Sequence, residues 1–547
     1  MTRWLTAVFS IGAALLVTGC AEYSKASRKK PSDLAVTREQ RTLALAQEKH
    51  STRPMDQIGA YLDAADEARR KLSKDPHNTL WQSDYNFAVA RIMEIIAAQR
   101  YAPWDRALEA PSADGTPWRL RLIPPFKQAR YHPSRFEFAP ADRYELHGEL
   151  VGERVRKSGL GAPIVVIGDD LDYRKLDPFA QGKNVYYGLT AVIRFRGRDC
   201  EIVLIDPLDK ETVELDRASY PLAGDYQAPL VMALAELQEK ELMGLFKPQE
   251  QERGARLAKL QPFNPQKIPI ICVHGLGNSP ATWAPLIEFL RGDEEIRKNY
   301  QFWFFSYPSG LPYPLSAAIL RNQWQLARRQ FPGLKDAVVI GHSMGGMISR
   351  LLITDSGMTL WDAYFDHPPE QSQFSGETRE LITRSLIFKS TPGVSRVIFV
   401  SASHRGSERA SSFLGRLGAL VVGSPITAEN VFREAIQAAK NAARLRNRNR
   451  LPNSIDLLDP DSLVVKAVDS LPTTPGVPYH SIIGDRGKGG YLDRTKPEST
   501  DGFVPYWSSH MEGAESERII PSAHWSHLHP LGMAEIKRIL LKNLHRD

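Results

Sequence analysis

Residues 338–346 read Val-Val-Ile-Gly-His-Ser-Met-Gly-Gly, and this stretch sets the expectations for the rest of the chain. Its apolar, β-branched start predicts a buried strand, and the apolar positions from Met347 to Leu352 recur at helical spacing. Between them lies Gly-x-Ser-x-Gly, whose glycines permit a tight turn and a close approach of neighbouring backbone. A strand, a sharp turn and a helix in this order would expose the hydroxyl of Ser343 at a helix N-terminus, the arrangement of a catalytic nucleophile.

The composition is that of a globular protein. Of the 547 residues, 42% are hydrophobic and 24% are charged, with a net charge of +7. That modest charge, with no basic helix carrying interleaved aromatic residues, gives no support for a nucleic-acid partner. The three cysteines exclude a disulfide scaffold and a Cys-x-x-Cys metal site. No acidic cluster indicates calcium, so we expect neither a metal nor a cofactor.

The N-terminus has the pattern of a signal peptide. An apolar run from Trp4 to Val17 is too short to span a bilayer comfortably. It ends in Leu-Val-Thr-Gly-Cys, which resembles the lipobox of bacterial lipoproteins and implies cleavage before Cys20 and acylation of that cysteine. Ala21, rather than Asp, comes next, which favours the outer over the inner membrane. The alternative is an ordinary secretory signal with a fortuitous cysteine.

Changes of pattern divide the chain into segments. We expect a signal peptide over 1–19, a polar tether over 20–35, a helical accessory region over 36–140, a β-rich accessory region with a closing helix over 141–250, and an α/β domain over 262–547. The boundary lies in a Pro- and charge-rich linker from Lys247 to Pro265. Insertions near 357–384 and 407–467 are candidates for lids or substrate walls.

The C-terminal half alternates strands and helices, which predicts a mostly parallel sheet flanked by helices. The predicted strands are continuous apolar runs, as expected for strands buried on both faces. They cover Ile268–Val273, Phe302–Tyr307, Ala337–Ile340, Arg396–Ser401, Tyr479–Ile483 and Arg518–Pro521.

A serine nucleophile needs a base, and the base needs an acid that orients it. The acid candidate is Asp501 in Thr-Asp-Gly-Phe-Val-Pro, on the loop after the strand predicted at 479–483. Its glycine permits a sharp turn toward the carboxyl edge of the sheet. Asp485 closely follows the same strand and is the main rival, and Asp493 is a weaker one.

The base candidate is His524, in the loop between the last strand and the last helix. It is the histidine nearest the strand end and therefore nearest the sheet edge. His527 and His529 compete, although the proline after His529 indicates the entrance of a helix.

The negative charge that develops on the substrate oxygen requires two backbone donors. One is expected from Met344, directly after the nucleophile, and the other from Leu276 in the His-Gly-Leu-Gly loop after the first strand of the α/β domain. His274, on the same loop, is assigned an orienting role.

Four motifs together resemble those of bacterial α/β-hydrolases of the lipase/esterase type. They are His274-Gly-Leu-Gly, Gly341-His-Ser-Met-Gly-Gly, His404-Arg-Gly-Ser and Asp501-Gly-Phe-Val-Pro. The resemblance covers about residues 267–547 and implies an α/β-hydrolase fold, with an N-terminal α+β accessory region that it does not explain. One departure is Ser401-Ala-Ser-His, where related enzymes often have Thr-Pro-His.

The resemblance implies hydrolysis of an acyl ester, either a small molecule or a lipid, by Ser343, Asp501 and His524. Acyl transfer and thioester hydrolysis are alternatives on the same fold, and an inert envelope scaffold is an alternative from another class. The expected location is the cell envelope, through a lipid anchor at Cys20. The sequence leaves the oligomeric state open.

Overall fold

The computed structural model describes residues 25–49, 53–124, 132–148, 151, 154–169, 177–180, 184–233, 255–408, 456–486 and 500–545. The chain divides into two units, Met1–Glu236 and Leu237–Asp547. The predicted signal peptide with Cys20, most of the insertion predicted over 407–467 and the rival acid Asp493 lie outside the described residues.

Three α-helices of the N-terminal unit lie in the region that the sequence predicts to be helical. They are Arg38–Glu48, Pro54–Leu72 and Thr79–Ala98. Asn78 ends the turn between the second and third helices, and its side chain accepts hydrogen bonds from the amides of Leu80 and Trp81. The apolar faces of these two helices are buried against each other and against a sheet of the same unit.

The described strands of this unit form one main sheet and three small pairs. In chain order they are β1 (Lys25–Arg28), β2 (Leu108–Ala110), β3 (Trp118–Ile123), β4 (Phe136–Pro140), β5 (Tyr144–His147), β6 (Arg156–Lys157), β7 (Ala162–Asp169), β8 (Asn184–Arg196), β9 (Asp199–Ile205), β10 (Thr212–Leu215), β11 (Ala218–Pro221) and β12 (Gly224–Asp225). The six-stranded sheet has the order β2-β3-β9-β8-β7-β4 and is antiparallel except between β3 and β9.

Two features of this unit differ from the expectation. β1 lies in the predicted tether but pairs with β5, so the tether residues that the structure describes belong to the folded unit. β2, β3 and β4 lie in the region expected to be helical, and they join the same sheet as β7 to β9. The two predicted accessory regions therefore share one core.

The C-terminal unit is built on a seven-stranded sheet within the described residues. Its strands are β13 (Arg256–Lys259), β14 (Ile268–Val273), β15 (Tyr300–Ser306), β16 (Ala337–His342), β17 (Val394–Val400), β18 (Tyr479–Gly484) and β19 (Ser516–Ile520). The order is β13-β15-β14-β16-β17-β18-β19, parallel throughout except for β13 at one edge. All six predicted strands are present. The seventh, β13, lies inside the predicted linker.

Helices flank this sheet in the expected alternation. They are Ala284–Arg291, Glu294–Asn299, Tyr313–Gln330, Met344–Arg350, Thr359–Asp362, Gly376–Leu386, Leu463–Ser470, Tyr506–Ser509 and Pro530–Leu544. The first predicted insertion contains the helix Thr359–Asp362 and most of the helix Gly376–Leu386, and Leu381 packs against Leu311 and Leu315. Whether this segment acts as a lid stays a prediction. No described helix is both long and apolar enough to cross a membrane.

Candidate active site

Ser343 lies between the end of β16 and the start of the helix Met344–Arg350. Its backbone has φ 54° and ψ −124°, a conformation that costs a non-glycine residue free energy and is typical of functional turns. The side chain makes no capping hydrogen bond to the helix, and the residue is 9% exposed. The predicted strand, turn and helix are therefore present, with the serine at the carboxyl edge of the central strand.

Glycines let other segments approach the serine closely. A Cβ on Gly275 would lie 2.9 Å from the Cβ of Ser343 and 3.0 Å from Nδ1 of His342. A Cβ on Gly345 would collide with the backbone carbonyls of Val273 and His274. The loop after β14 is thus packed directly against the serine turn, and only glycine fits at either position.

The structure brings Asp501 and His524 together. Nδ1 of the imidazole lies 2.7 Å from Oδ2 of the carboxylate, and both residues are buried, with Asp501 1% exposed. The other carboxylate oxygen accepts hydrogen bonds from the amides of Phe503 at 2.8 Å and Val504 at 2.7 Å. These contacts hold the carboxylate in one orientation and place a hydrogen on Nδ1, which leaves Nε2 as the nitrogen that can accept a proton.

Two glycines allow this acid loop to turn. Gly502 has φ 102°, a left-handed conformation that other residues rarely adopt. A Cβ on Gly484, at the end of β18, would lie 2.8 Å from the Cβ of Asp501. The Ser407 hydroxyl donates a hydrogen bond to the carbonyl of Phe503, so the loop after β17 also supports the acid loop.

His342 links the serine turn to the histidine loop. Its Nε2 donates a hydrogen bond to the backbone carbonyl of His524 at 2.9 Å, and the two ring centroids are 4.8 Å apart. Burial, and then the neighbouring His527 and His524, keep the pKa of His342 well below its usual value, so it is neutral. The described residues show no hydrogen bond between the Ser343 hydroxyl and the His524 imidazole. In enzymes without bound substrate, the distance between a nucleophile and its base is often longer than a hydrogen bond.

The contact between His342 and residue 524 was not predicted, because nothing in the sequence pairs the two positions. It depends on how two distant loops meet at the sheet edge. The position of His342, next to Ser343 and inside the motif, was the only available signal.

The rival residues make other contacts. Asp485 is buried after β18, and its amide donates to the carbonyl of Ile520. The Nε2 of His527 lies 2.9 Å from the Thr282 hydroxyl, and burial lowers the pKa of His527 to about 3. His529 caps the helix Pro530–Leu544 through its side chain, as the proline after it indicated.

Leu276 and Met344 provide two unused backbone amides beside the serine. Met344 is the first residue of its helix, so no preceding turn supplies an acceptor for its amide. Among the described residues, neither this amide nor that of Leu276 has a hydrogen-bond partner. Both are therefore available to an anionic oxygen.

His274 holds the Leu276 loop in place. Its Nδ1 lies 2.9 Å from the carbonyl of Gly275, and its ring stacks on Tyr307 at 4.3 Å. The Tyr307 hydroxyl also donates to the carbonyl of His274 at 2.6 Å. Burial lowers the pKa of His274 to about 4, so it is a neutral, orienting residue at neutral pH.

No metal-binding cluster of three or more His, Cys, Asp or Glu side chains occurs among the described residues. The site residues themselves offer proton transfer and hydrogen bonding: a hydroxyl, an imidazole with an oriented carboxylate, and free amides.

The comparisons with known proteins agree with the architecture. Residues 270–536 match the sequence profile of the Alpha/beta hydrolase family, just under half of the chain. The match spans the sheet from β14 to β19 and includes Ser343, Asp501 and His524. The C-terminal half therefore contains an α/β-hydrolase domain, and the predicted fold is confirmed. No curated protein matches the chain.

Several solved structures are similar to about half of this chain. A lipase of Bacillus licheniformis in its mature form is 17% identical over 51% of this chain and 93% of its own, with a TM-score of 0.30. Lipase 1 of Pelosinus fermentans is 11% identical over 52% and 100%, with a TM-score of 0.32. A thermostable carboxyl esterase of Bacillus coagulans is 15% identical over 53% and 92%, with a TM-score of 0.28. These values are too low to transfer a function.

Proposed function

We propose that this protein is a serine hydrolase that cleaves carboxylic esters through an acyl-enzyme. Ser343 is the nucleophile, His524 the base and Asp501 the residue that orients the base. The observation that carries the proposal is the 2.7 Å contact between His524 Nδ1 and Asp501 Oδ2, beside a serine in a strained turn. A carboxylate, an imidazole and a serine in this order are the groups that acyl transfer requires.

In the first half of the reaction, the Ser343 oxygen attacks the ester carbonyl carbon while Nε2 of His524 takes the hydroxyl proton. The carbonyl oxygen becomes negative and receives hydrogen bonds from the amides of Leu276 and Met344. The bond to the alcohol oxygen then breaks, and His524 gives its proton to the departing alcohol. An acyl group remains on Ser343.

Water completes the cycle. His524 takes a proton from a water molecule, the hydroxide formed attacks the acyl carbonyl, and the same two amides again stabilise the negative oxygen. The bond to Ser343 breaks, the serine recovers the proton from His524, and a carboxylic acid leaves. Asp501 keeps its charge throughout and stabilises the imidazolium form.

A fluorophosphonate probe tests the nucleophile directly, because it reacts with activated serines. We expect the wild-type chain to be labelled at Ser343 and Ser343→Ala not to be labelled, with Ser401→Ala as a matched control that is labelled normally. Labelling of neither the wild type nor the control would contradict the proposal and favour an inert scaffold.

A separate experiment tests which bond the protein cleaves and which molecule receives the acyl group. Purified protein is incubated with an ester, with the thioester of the same acid, and with the ester plus an alcohol acceptor. We expect faster release of acid from the ester than from the thioester. Acyl transfer to the alcohol that outruns release of the acid would instead identify an acyltransferase.

We infer from the sequence around Cys20 that the protein is a lipoprotein anchored in the cell envelope. The residue after Cys20 favours the outer over the inner membrane. The support is the Leu-Val-Thr-Gly-Cys pattern at the end of a short apolar run. Multiple acyl chains would provide a stable anchor. Fractionation of cells that express Cys20→Ala should find the protein unprocessed or released. Unchanged anchoring would contradict this part of the proposal alone.

A further inference from the structure

Two aromatic side chains flank the imidazole of His524. The ring centroid of Phe503 lies 5.2 Å from that of the imidazole, and the centroid of Trp525 lies 5.9 Å from it. Phe503 and Trp525 also contact each other edge to face, at 5.9 Å with planes 82° apart. We call these two side chains the aromatic edge. Trp525 is 37% exposed whereas His524 is 8% exposed, so part of the aromatic surface next to the imidazole is open to solvent.

The aromatic edge is built on the two loops that hold the acid and the base. The amide of Phe503 is bonded to Asp501, and its carbonyl accepts from the Ser407 hydroxyl. Trp525 directly follows His524, whose carbonyl is held by His342. Because the backbone of both residues is fixed in this way, the rings need little rearrangement to meet a bound molecule.

The chemistry places one part of the substrate beside these rings, and this step rests on the proposed function. His524 must give its proton to the departing alcohol, so the alcohol oxygen lies about 3 Å from Nε2. The carbonyl oxygen points to the amides of Leu276 and Met344 instead. The first atoms of the alcohol therefore lie next to the imidazole, and both rings of the aromatic edge contact this imidazole.

We propose that Phe503 and Trp525 form the subsite for the alcohol portion of the ester, and that this subsite selects aromatic alcohols over small alkyl ones. Edge-to-face and stacked contacts between aromatic rings add to the gain from burying apolar surface. Part of the Trp525 ring is available for such contacts because it is exposed.

This placement has a kinetic consequence that distinguishes it from a general structural role. The alcohol has already left when the acyl-enzyme is hydrolysed. The aromatic edge should therefore affect the formation of the acyl-enzyme and leave its hydrolysis unaffected. Damage to the fold would change both steps.

The experiment compares Trp525→Ala with the wild-type full-length chain on benzyl acetate and ethyl acetate. Both alcohols are attached through a CH₂ group, and both esters give the same acetyl-enzyme. We expect the ratio of kcat/KM for benzyl over ethyl acetate to fall about tenfold, the value of a well-packed aromatic contact. The rate of hydrolysis of the acetyl-enzyme, measured after rapid acylation, should stay within about twofold.

Two further variants test whether the ring itself carries the preference. Trp525→Phe retains a ring and should keep most of the preference. Leu531→Ala removes another exposed apolar side chain, 42% exposed, and should leave the ratio unchanged. Phe503→Leu provides the same comparison if Trp525→Ala does not fold. The preference among ethyl esters of longer acids should not change in any of these variants.

The outcomes distinguish this inference from the proposed function. An active wild type with the same benzyl preference in Trp525→Ala and Phe503→Leu would overturn the subsite alone. An equal loss on benzyl and ethyl acetate, with slower hydrolysis of the acetyl-enzyme, would also overturn it. A wild type that hydrolyses no ester would overturn the proposed function, and the subsite with it.

Discussion

Ser343 and Ser401 occupy equivalent positions on neighbouring strands but differ in their surroundings. Ser343 follows β16 with φ 54°, and Ser401 follows β17 with φ 47°. The amide of each donates to the adjacent parallel strand, from Ser343 to Val400 at 2.9 Å and from Ser401 to Ile482 at 2.8 Å. Both serines therefore share the sheet edge and the unusual backbone conformation.

The two serines differ in the segment that comes after each of them and in the contacts of their hydroxyls. A helix begins directly after Ser343, and the hydroxyl makes no capping bond to it. The Ser401 residue is 1% exposed, and its hydroxyl lies 3.0 Å from the hydroxyl of Ser526. The positive φ is therefore common to both serines and does not set Ser343 apart. The helix N-terminus, the free amides and the nearby imidazole distinguish the two positions.

The largest effect on activity should come from removing the hydroxyl of Ser343, and removal of the Ser401 hydroxyl is the matched comparison. Ser343→Ala is expected to lower kcat for ester hydrolysis by about 10⁵-fold or more, because the covalent route is lost. Ser401→Ala should lower it by less than about threefold and should destabilise the fold by about 1 kcal/mol, from the lost bond to Ser526. Steady-state kinetics and urea unfolding measure both. Comparable losses of activity in the two variants would contradict the distinction.

The two carboxylates after β18 allow a second test. Asp501→Asn is expected to lower kcat by about 10⁴-fold, because the amide no longer stabilises the imidazolium form and favours the wrong tautomer of His524. Asp485→Asn should cost less than about tenfold, since the carboxylate that contacts His524 belongs to Asp501. Measuring kcat of both variants on one ester at neutral pH tests which carboxylate orients His524. A larger loss in Asp485→Asn would exchange the two assignments.

The close packing of the Leu276 loop on Ser343 provides a third test. The methyl group of Gly275→Ala would lie 2.9 Å from the Cβ of Ser343, so the loop must shift and the two amides can no longer share one oxygen. We expect kcat to fall about 100-fold, the usual cost of one lost donor. Gly376→Ala is the control, since its added methyl group meets no atom within 4 Å. Full activity of Gly275→Ala would show that the loop does not supply a donor.

The last test measures stability rather than activity and concerns the buried histidines around Ser343. Burial lowers the pKa of His274 to about 4 and that of His527 to about 3. Both are neutral in the folded protein and take up a proton on unfolding below about pH 6.5, so stability is greatest above that pH and is lost as the pH falls. Over this range the free energy of unfolding falls by about 1.4 kcal/mol per pH unit for each of the two histidines.

Urea unfolding between pH 7.5 and pH 5 measures this dependence. We expect the free energy of unfolding to decrease below about pH 6.5, and to decrease less steeply in His527→Gln, which lacks one of these groups. A free energy that is constant over this range would show that the histidines are not buried in their neutral form.

Most of the C-terminal sheet was predictable because its strands are continuous apolar runs. β14 begins and ends at the predicted residues, and the other five predicted strands differ by only a few residues. β13 was not predicted because it has only four residues, two of them charged, in a Pro- and charge-rich segment. Three of its four residues are nevertheless buried, including Lys259, and its position at the sheet edge depends on a long-range pairing with β15.

The N-terminal sheet was harder to predict, for two reasons. β2 and β4 are short and lie among prolines, so they give no clear period. β3 does alternate, with Trp118, Leu120 and Leu122 buried and the residues between them exposed, but its proline-rich setting obscures this signal. Its partner β9 is about 80 residues away, and such long-range pairing is not encoded in local patterns.

Within the candidate site, motifs identify residues but do not position them. The contact between Asp501 and His524 was expected from their order in the chain. The hydrogen bond from His342 to the carbonyl of residue 524 and the aromatic edge depend on how separate loops meet, and no local pattern predicts that.

The bond from His342 is made to a peptide oxygen, so it does not depend on which side chain residue 524 carries. Replacing His524 with alanine should therefore delete the proton carrier while the loop keeps its course. The vacated ring space next to Asp501 is the size of free imidazole, and imidazole added to the solution can enter it. This variant should bind intact ester at the serine without cleaving it. Adding imidazole should then restart turnover.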